Sequence, residues 1–129
     1  MNWDFATNGF VHLCGHRGHS LGAPENTLAA LRLNCSLGGT TAEIDTVLTA
    51  DGEIVVLHDL SVDRTTDGTG IVADMPLAAV RALDAGAWFG PGFAGERIPT
   101  MAEALELAQE IDLGLEVEIK ERRDLPRFA

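Results

Sequence analysis

The sequence has little cysteine, no tyrosine and no long apolar run. Of its 129 residues, 2 are Cys and none is Tyr. Two cysteines in a domain of this length predict buried free thiols rather than a disulfide framework. No apolar run reaches the length of about 18 residues that a membrane helix needs, and the N-terminus lacks the pattern of a secretory signal. We therefore expect a soluble, cytoplasmic protein without a membrane span.

Basic residues are also scarce. The chain carries 9 Lys and Arg against 20 Asp and Glu, a net charge of −11. Such a chain repels polyanions, which argues against nucleic acid or an acidic membrane surface as its partner. A phosphate-bearing ligand would need a local cation to reverse this field. The charge balance therefore indicates that any phosphate site contains a metal ion and a few positioned Arg or Lys side chains.

The 46% of apolar residues suffices for one domain, and their spacing predicts strands separated by helices. Strands separated by helices favour right-handed crossovers and a parallel sheet, which presents functional side chains at the carboxyl ends of its strands. The first half of the chain predicts a buried strand over 10–15, a helix from about residue 26 capped by Asn26 or Thr27, and an alternating strand over 40–49 that a hairpin at Asp51-Gly52 joins to a strand over 53–59. The second half predicts a short helix over about 76–83, a helix that begins with a capping box at Thr100 and Glu103, and an alternating strand over 113–120. The apolar stripe predicted for the capped helix consists of Ala104, Leu105, Ala108 and Ile111.

Charged and titratable residues collect where these strands end. Taken singly, each group also fits a solvated strand face or a turn. Parallel strands would bring all of these groups to one rim of the sheet, the end at which the strands have their carboxyl termini. Their joint occurrence there favours a site in which a divalent metal neutralises the acids and an anion pairs with the bases. Carboxylates suit Mg²⁺ or Ca²⁺, and Arg and Lys suit phosphate. The groups are His16-Arg17, Glu43 with Asp45, His58-Asp59, and Glu118 with Lys120.

Seven short segments carry a family resemblance. They are HRG at 16–18, PENT at 24–27, EID at 43–45, LTADGEIVVLHD at 48–59, DRTTDGTG at 63–70, LDAGAWF at 83–89 and EIK at 118–120. In this order they resemble the glycerophosphodiester phosphodiesterase family, along nearly the whole stretch from residue 13 to 120. The resemblance implies an α/β fold, the TIM-type (β/α)₈ barrel of phospholipase-C-like phosphodiesterases. It also implies a divalent metal and hydrolysis of glycerophosphodiesters to glycerol 3-phosphate and an alcohol.

The resemblance also implies roles for individual residues. It makes His16 and His58 the acid–base pair, while an inserted region over about 60–99 shapes the pocket for the glycerol end. Trp88 and Phe89 are then either a substrate wall or the core of the insertion, and we favour the core. The other implied roles are metal ligation by Glu43, Asp45 and Glu118, phosphate binding by Arg17 and Lys120, and a position close to the site for Glu25.

The chain departs from the family pattern in length. It continues for only 9 residues after Lys120 and contains about three barrel strands, whereas a complete barrel takes about 250 residues and eight strands. We therefore expect residues 1–129 to form the N-terminal part of such a domain, and expect the chain alone to be inactive and to self-associate or to depend on a missing C-terminal half. A fragment, a truncated gene product and a half-barrel with a partner remain open.

Two alternative functions also remain open. One is a non-catalytic remnant or assembly half of such a barrel, and the other is a related phosphodiesterase of the sphingomyelinase D type. The sequence does not decide which alcohol head group is released, which of Mg²⁺ and Ca²⁺ binds, or which His is the acid.

Overall fold

The computed structural model describes residues 11–120. Residues 121–129 and the first residue of the strand predicted over 10–15 lie outside this range. The elements, in chain order, are β1 (Cys14–His16), α1 (Leu28–Ser36), β2 (Thr41–Leu48), β3 (Ile54–Val56), a 3₁₀ turn (Val72–Asp74), α2 (Leu77–Ala82), a second 3₁₀ turn (Pro91–Phe93), α3 (Met101–Glu110) and β4 (Gly114–Ile119).

Strand β2 is the centre of a four-stranded sheet. It pairs in parallel with β1 and β4, and antiparallel with β3. Because Thr46 pairs with both Val56 and Ile119, β3 and β4 lie on opposite edges of β2. The three parallel strands therefore stand in the order β1, β2, β4, each joined to the next by a segment that contains a helix. This confirms the predicted parallel α/β sheet and its hairpin extension.

The helices cover one face of the sheet. Alternation along β2 sends Ala42 and Ile44 toward α1 and α3, and both residues are fully buried. In α3 the buried residues are Ala104, Leu107 and Ala108, whereas Leu105 is 51% exposed. The predicted stripe is therefore confirmed at Ala104, Ala108 and Ile111 and wrong at Leu105, whose place on the buried face is taken by Leu107. The remaining members of this core are Leu31, Val56 and Leu113.

Both long helices begin at a threonine. The Thr27 hydroxyl accepts a hydrogen bond from the Ala30 N–H at 3.2 Å, and Thr100 forms the predicted capping box with Glu103. Asn26, the other predicted cap of α1, has a different role. Its backbone is left-handed, with φ of 59°, and its side chain is directed toward β2.

The strand predicted over 10–15 is shorter and more exposed than expected. It starts at Cys14, and the side chains of Val11 and Leu13 before it are 79% and 57% exposed. The reason is its place at the edge of the sheet, where no described element covers it. Cys14 is exposed for the same reason, so the prediction of a buried thiol fails there, while Cys35 is half-buried. Both thiols are free.

Residues between β3 and α3 build a second apolar cluster beside the hairpin. Val47 and Val55 supply its sheet side, and the connecting segment supplies the rest. Helix α2 lies within the predicted short helix and is anchored at Arg81, which donates to the Ile98 carbonyl and to Glu103. The members contributed from outside the two strands are Leu57, Val62, Val72, Val80, Ala85 and Ile98.

Candidate metal and phosphodiester site

Three carboxylates meet on the face of the sheet that the helices leave open. Glu43 and Asp45 are two residues apart on β2 and so share a face, and the β2–β4 register places Glu118 directly opposite Asp45. One oxygen from each of the three residues lies within 4.8 Å of the others. The structure thus brings together the three predicted metal ligands.

Asp45 is at the centre of this group and is 1% exposed. The Asn26 Nδ2 donates to Asp45 Oδ2 at 2.8 Å, and the Asn26 side-chain oxygen, Oδ1, accepts from the Asp45 backbone N–H at 3.2 Å. Lys120 Nζ lies 3.0 Å from Oδ1, and Arg17 Nε lies 3.3 Å from Oδ2. Burial raises the pKa of Asp45, but the hydrogen bonds from Asn26 and Lys120 outweigh it, so the net pKa is lowered and the carboxylate is ionised.

Glu43 has the opposite balance. Burial raises its pKa, and the negative charges of Asp45 and Glu118 raise it further. Its Oε2 accepts a hydrogen bond from the Arg17 N–H at 3.0 Å, while its Oε1 is buried without a hydrogen-bond partner. A buried carboxylate oxygen left without a donor and repelled by two other acids is a group that a cation would stabilise.

These residues fit a hard divalent cation. The donor set is entirely carboxylate oxygen, which is the chemistry that Mg²⁺ and Ca²⁺ prefer. Lys120 bridges Asp45 and Glu118, with Nζ at 3.0 Å and 2.7 Å from their oxygens. Lys120 thus neutralises part of the charge on Asp45 and Glu118, whereas Glu43 Oε1 has no hydrogen-bond partner.

The turn after β1 presents His16 and Arg17 at the same rim. It requires left-handed backbone at Arg17 and Gly18, with φ of 55° and 73°, and a Cβ on Gly18 would lie 2.7 Å from the backbone of α1. This explains the glycine of the HRG segment. His16 Nε2 lies 3.9 Å from Glu43 Oε2, and the His16 side chain is 69% exposed.

His58 approaches from the end of the hairpin. Its Nδ1 lies 2.6 Å from Asp59 Oδ1, and the positive charge it carries when protonated helps lower the pKa of Asp45. Both predicted histidines and both predicted cations therefore stand around one carboxylate cluster.

Glu25 belongs to a chain of ion pairs that sequence reasoning missed. It accepts a hydrogen bond from Arg17 Nη1 at 3.1 Å and two from Arg64. Arg64 also donates twice to Asp59. The available signals were the DRTT segment, which contains Arg64, and the acid that directly follows His58. Neither reveals that residues 39 positions apart meet.

Trp88 and Phe89 lie outside the buried core of their segment. Trp88 is 43% exposed. Its ring packs edge-to-face against Phe89, with 5.7 Å between the ring centroids, and Phe89 packs in the same way against Phe93, with 5.4 Å between the centroids. The favoured prediction, that the pair forms the core of the insertion, is wrong, because aliphatic residues fill that core.

Comparison with known proteins identifies the family. Residues 16–128 match the family model described as the glycerophosphoryl diester phosphodiesterase family. The chain belongs to this family. It is 50% identical over 105 residues to a glycerophosphodiester phosphodiesterase of Caldanaerobacter subterraneus, covering 81% of the chain and 43% of that relative. Against glycerophosphodiester phosphodiesterase 1 of Mus musculus the identity is 41% over 121 residues, covering 92% and 37%.

Solved structures of glycerophosphodiester phosphodiesterases share the fold. An Oleispira antarctica phosphodiesterase, solved in complex with the product sn-glycerol-3-phosphate, superposes with a TM-score of 0.85 at 43% identity, covering 89% of this chain and 47% of that one. The enzyme from Agrobacterium tumefaciens superposes with a TM-score of 0.82 at 38% identity, covering 85% and 47%. The chain thus corresponds to the N-terminal part of a TIM-type barrel and spans less than half the length of these relatives. Within residues 11–120, no helix is long and apolar enough to cross a membrane.

Proposed function

We propose that this chain supplies the metal, acid–base and phosphate-binding side chains of a glycerophosphodiester phosphodiesterase, which hydrolyses its substrate to glycerol 3-phosphate and an alcohol. The observation that carries the proposal is the convergence of Glu43, Asp45 and Glu118, within 4.8 Å of one another, at the carboxyl ends of parallel strands in a member of this family. Because the chain spans 43% of its Caldanaerobacter relative, the proposal concerns the barrel that these strands help to form.

The three carboxylates would hold one divalent cation, Mg²⁺ or Ca²⁺. Such an ion supplies positive charge to the phosphoryl oxygens as negative charge accumulates on them. The protein's own contribution is to keep Asp45 ionised through Asn26 and Lys120, and to hold Glu43 by the Arg17 backbone N–H. These contacts keep the oxygen ligands in place before anything binds, so little reorganisation is required.

Arg17 and Lys120 would bind the phosphodiester. Both are paired with carboxylates in this structure, Arg17 with Glu25 and Asp45, and Lys120 with Asp45 and Glu118. A cation at the carboxylates would neutralise part of that charge, which would leave the two side chains available to an anion. In a chain of net charge −11, such local cations are needed to attract a phosphate at all.

His16 and His58 would transfer the protons. An imidazole takes up or releases a proton near neutral pH, so one His can accept the proton of the attacking hydroxyl while the other donates to the leaving alcohol. His58 is held at Nδ1 by Asp59, which leaves Nε2 to face the reaction. The segment over about 60–99, with Trp88 and Phe89 exposed or half-exposed on it, would form the wall for the glycerol end of the substrate.

Joining residues 1–120 to the C-terminal part of the Caldanaerobacter relative would test the proposal, because every proposed site residue would then come from this chain. Release of glycerol 3-phosphate from glycerophosphocholine should require Mg²⁺ or Ca²⁺ and stop with a chelator. His16→Ala and His58→Ala should each lower turnover by about 10²–10⁴-fold with the fold intact.

His12→Ala is the matched control, since His12 lies four residues before His16 and has no proposed role. It should retain turnover close to that of the parent. Near-normal turnover in either of the other two variants would refute the acid–base assignment, and metal-independent turnover would refute the assignment of the carboxylates.

A further inference from the structure

Arg64 makes four side-chain hydrogen bonds, although 45% of its side chain is exposed. Nε and Nη2 donate to the two oxygens of Asp59 at 2.8 Å and 3.1 Å. Nη1 and Nη2 donate to the two oxygens of Glu25 at 3.0 Å and 2.8 Å. Each carboxylate is bound in a bidentate contact, in which the guanidinium fixes the orientation of the carboxylate as well as pairing its charge.

An ordinary surface ion pair does not have this arrangement. Arg32 and Glu110 form such a pair, with one contact at 3.6 Å between side chains that are 55% and 65% exposed. Pairs of that kind contribute little to stability or geometry. Arg64 differs because Glu25 is only 13% exposed and is also bound by Arg17. The guanidinium is therefore anchored on a carboxylate that is itself held in place.

Through Asp59 this anchor reaches His58. Both Asp59 oxygens are engaged by Arg64, so the carboxylate cannot rotate freely, and Oδ1 lies 2.6 Å from His58 Nδ1. Hydrogen bonds from Arg64 lower the pKa of Asp59 to about 2, despite the opposing effect of burial. Asp59 is then an ionised acceptor, and the proton in the contact with His58 must sit on Nδ1.

We propose that Arg64 is a positioning residue for His58, which acts by clamping Asp59 against Glu25 so that neutral His58 carries its proton on Nδ1 and presents Nε2 at the rim. A carboxylate behind an imidazole selects its tautomer and orientation in this way. The clamp crosses from the α1 entry to the segment that follows the hairpin, so it also ties that segment to the rim. The value of the clamp for catalysis rests on the proposed function, whereas its effect on His58 does not.

The test is the tautomer of His58, measured by ¹⁵N NMR of the whole 129-residue chain at alkaline pH, where imidazoles are neutral. His58→Gln assigns the resonance among the four histidines. In the parent chain, Nδ1 should have the chemical shift of a protonated nitrogen and Nε2 that of an unprotonated one. Arg64→Gln leaves the Asp59 carboxylate free to rotate away from Nδ1, so the charge-assisted bond should weaken and the ratio of the Nδ1–H to the Nε2–H tautomer should fall by about tenfold.

Two further variants complete the design. Arg64→Lys keeps the positive charge but lacks the planar guanidinium that binds a carboxylate in a bidentate way, so its tautomer ratio should lie between those of Arg64→Gln and the parent. Arg32→Gln removes an arginine from a surface pair and should leave the His58 shifts unchanged. An Nε2–H tautomer in the parent, or a parent-like ratio in Arg64→Gln, would overturn the proposal. Loss of dispersed amide signals in both Arg64 variants would also overturn it, by assigning Arg64 to folding. Because no turnover is measured, failure here is distinct from failure of the proposed enzyme function.

Discussion

Replacing Asn26 should damage both the stability of the fold and the arrangement of the carboxylates. The residue is 3% exposed and stands between the turn after β1 and helix α1. Its amide contacts the side chain and the backbone of Asp45 at 2.8 Å and 3.2 Å. No other side chain in the described range 11–120 is shown to bond both the carboxylate and the backbone of a proposed metal ligand.

The expected cost of Asn26→Ala is about 3.5–8 kcal/mol, from three contributions. A hydrogen bond to an ionised carboxylate contributes about 1.5–3 kcal/mol, and a buried N–H left unsatisfied at Asp45 costs about 1–3 kcal/mol. Alanine also has to adopt the left-handed backbone that Asn26 has, at about 1–2 kcal/mol. Single domains are stable by only about 5–15 kcal/mol, so this change should leave the chain close to its unfolding threshold.

Urea denaturation followed by circular dichroism would measure these free energies. Asn26→Gly should be less destabilising than Asn26→Ala by about 1 kcal/mol, because glycine accepts the positive φ while losing the same hydrogen bonds. Ser36→Ala is the control; its hydroxyl makes an exposed local bond at 2.8 Å to the Leu33 carbonyl, and its loss should cost less than about 0.5 kcal/mol. An Asn26→Ala variant within about 1 kcal/mol of the parent would refute the reasoning.

Three other predictions concern single features. Thr100→Ala removes the hydroxyl of the capping box and should destabilise the chain by about 1 kcal/mol, whereas Thr100→Ser should retain most of that stability, as thermal unfolding would show. The pKa of Asp59 is lowered to about 2 from 3.8, so its ion pairs stabilise the fold above pH 4 and are lost as the pH falls toward 2. Asp59→Asn should make unfolding less dependent on pH in that window, by at most about 1 kcal/mol after solvent screening, and an unchanged pH profile would contradict this. The 129-residue chain alone should show dimers or larger species in light scattering, because Leu13, just before β1, is 57% exposed and Val117 and Ile119 on β4 are each 41% exposed. A stable monomer would contradict this.

Much of the fold follows from local patterns. Period-two alternation identified β2, the Asp51-Gly52 pair identified the hairpin, and the spacing of Thr100 and Glu103 identified the start of α3. These signals work because they depend on residues close in the sequence, whose geometry is set by the strand, the turn or the first helical turn. The position of Leu105 on α3 and the exposure of β1 were predicted incorrectly, because each depends on which distant element packs against it.

The amino-acid sequence by itself determined that Glu43 and Asp45 share one strand face and that charged residues follow each strand. Only the tertiary structure decided which of these residues meet. The β2–β4 register places Glu118 opposite Asp45, and a shift of one residue would have turned Glu118 to the helix face. Long-range packing likewise made Asn26 a hydrogen-bond partner of Asp45 rather than a helix cap, and it brought Arg64 to Glu25. Local sequence does not specify the partner of a carboxylate, because that partner lies on a segment distant in the sequence.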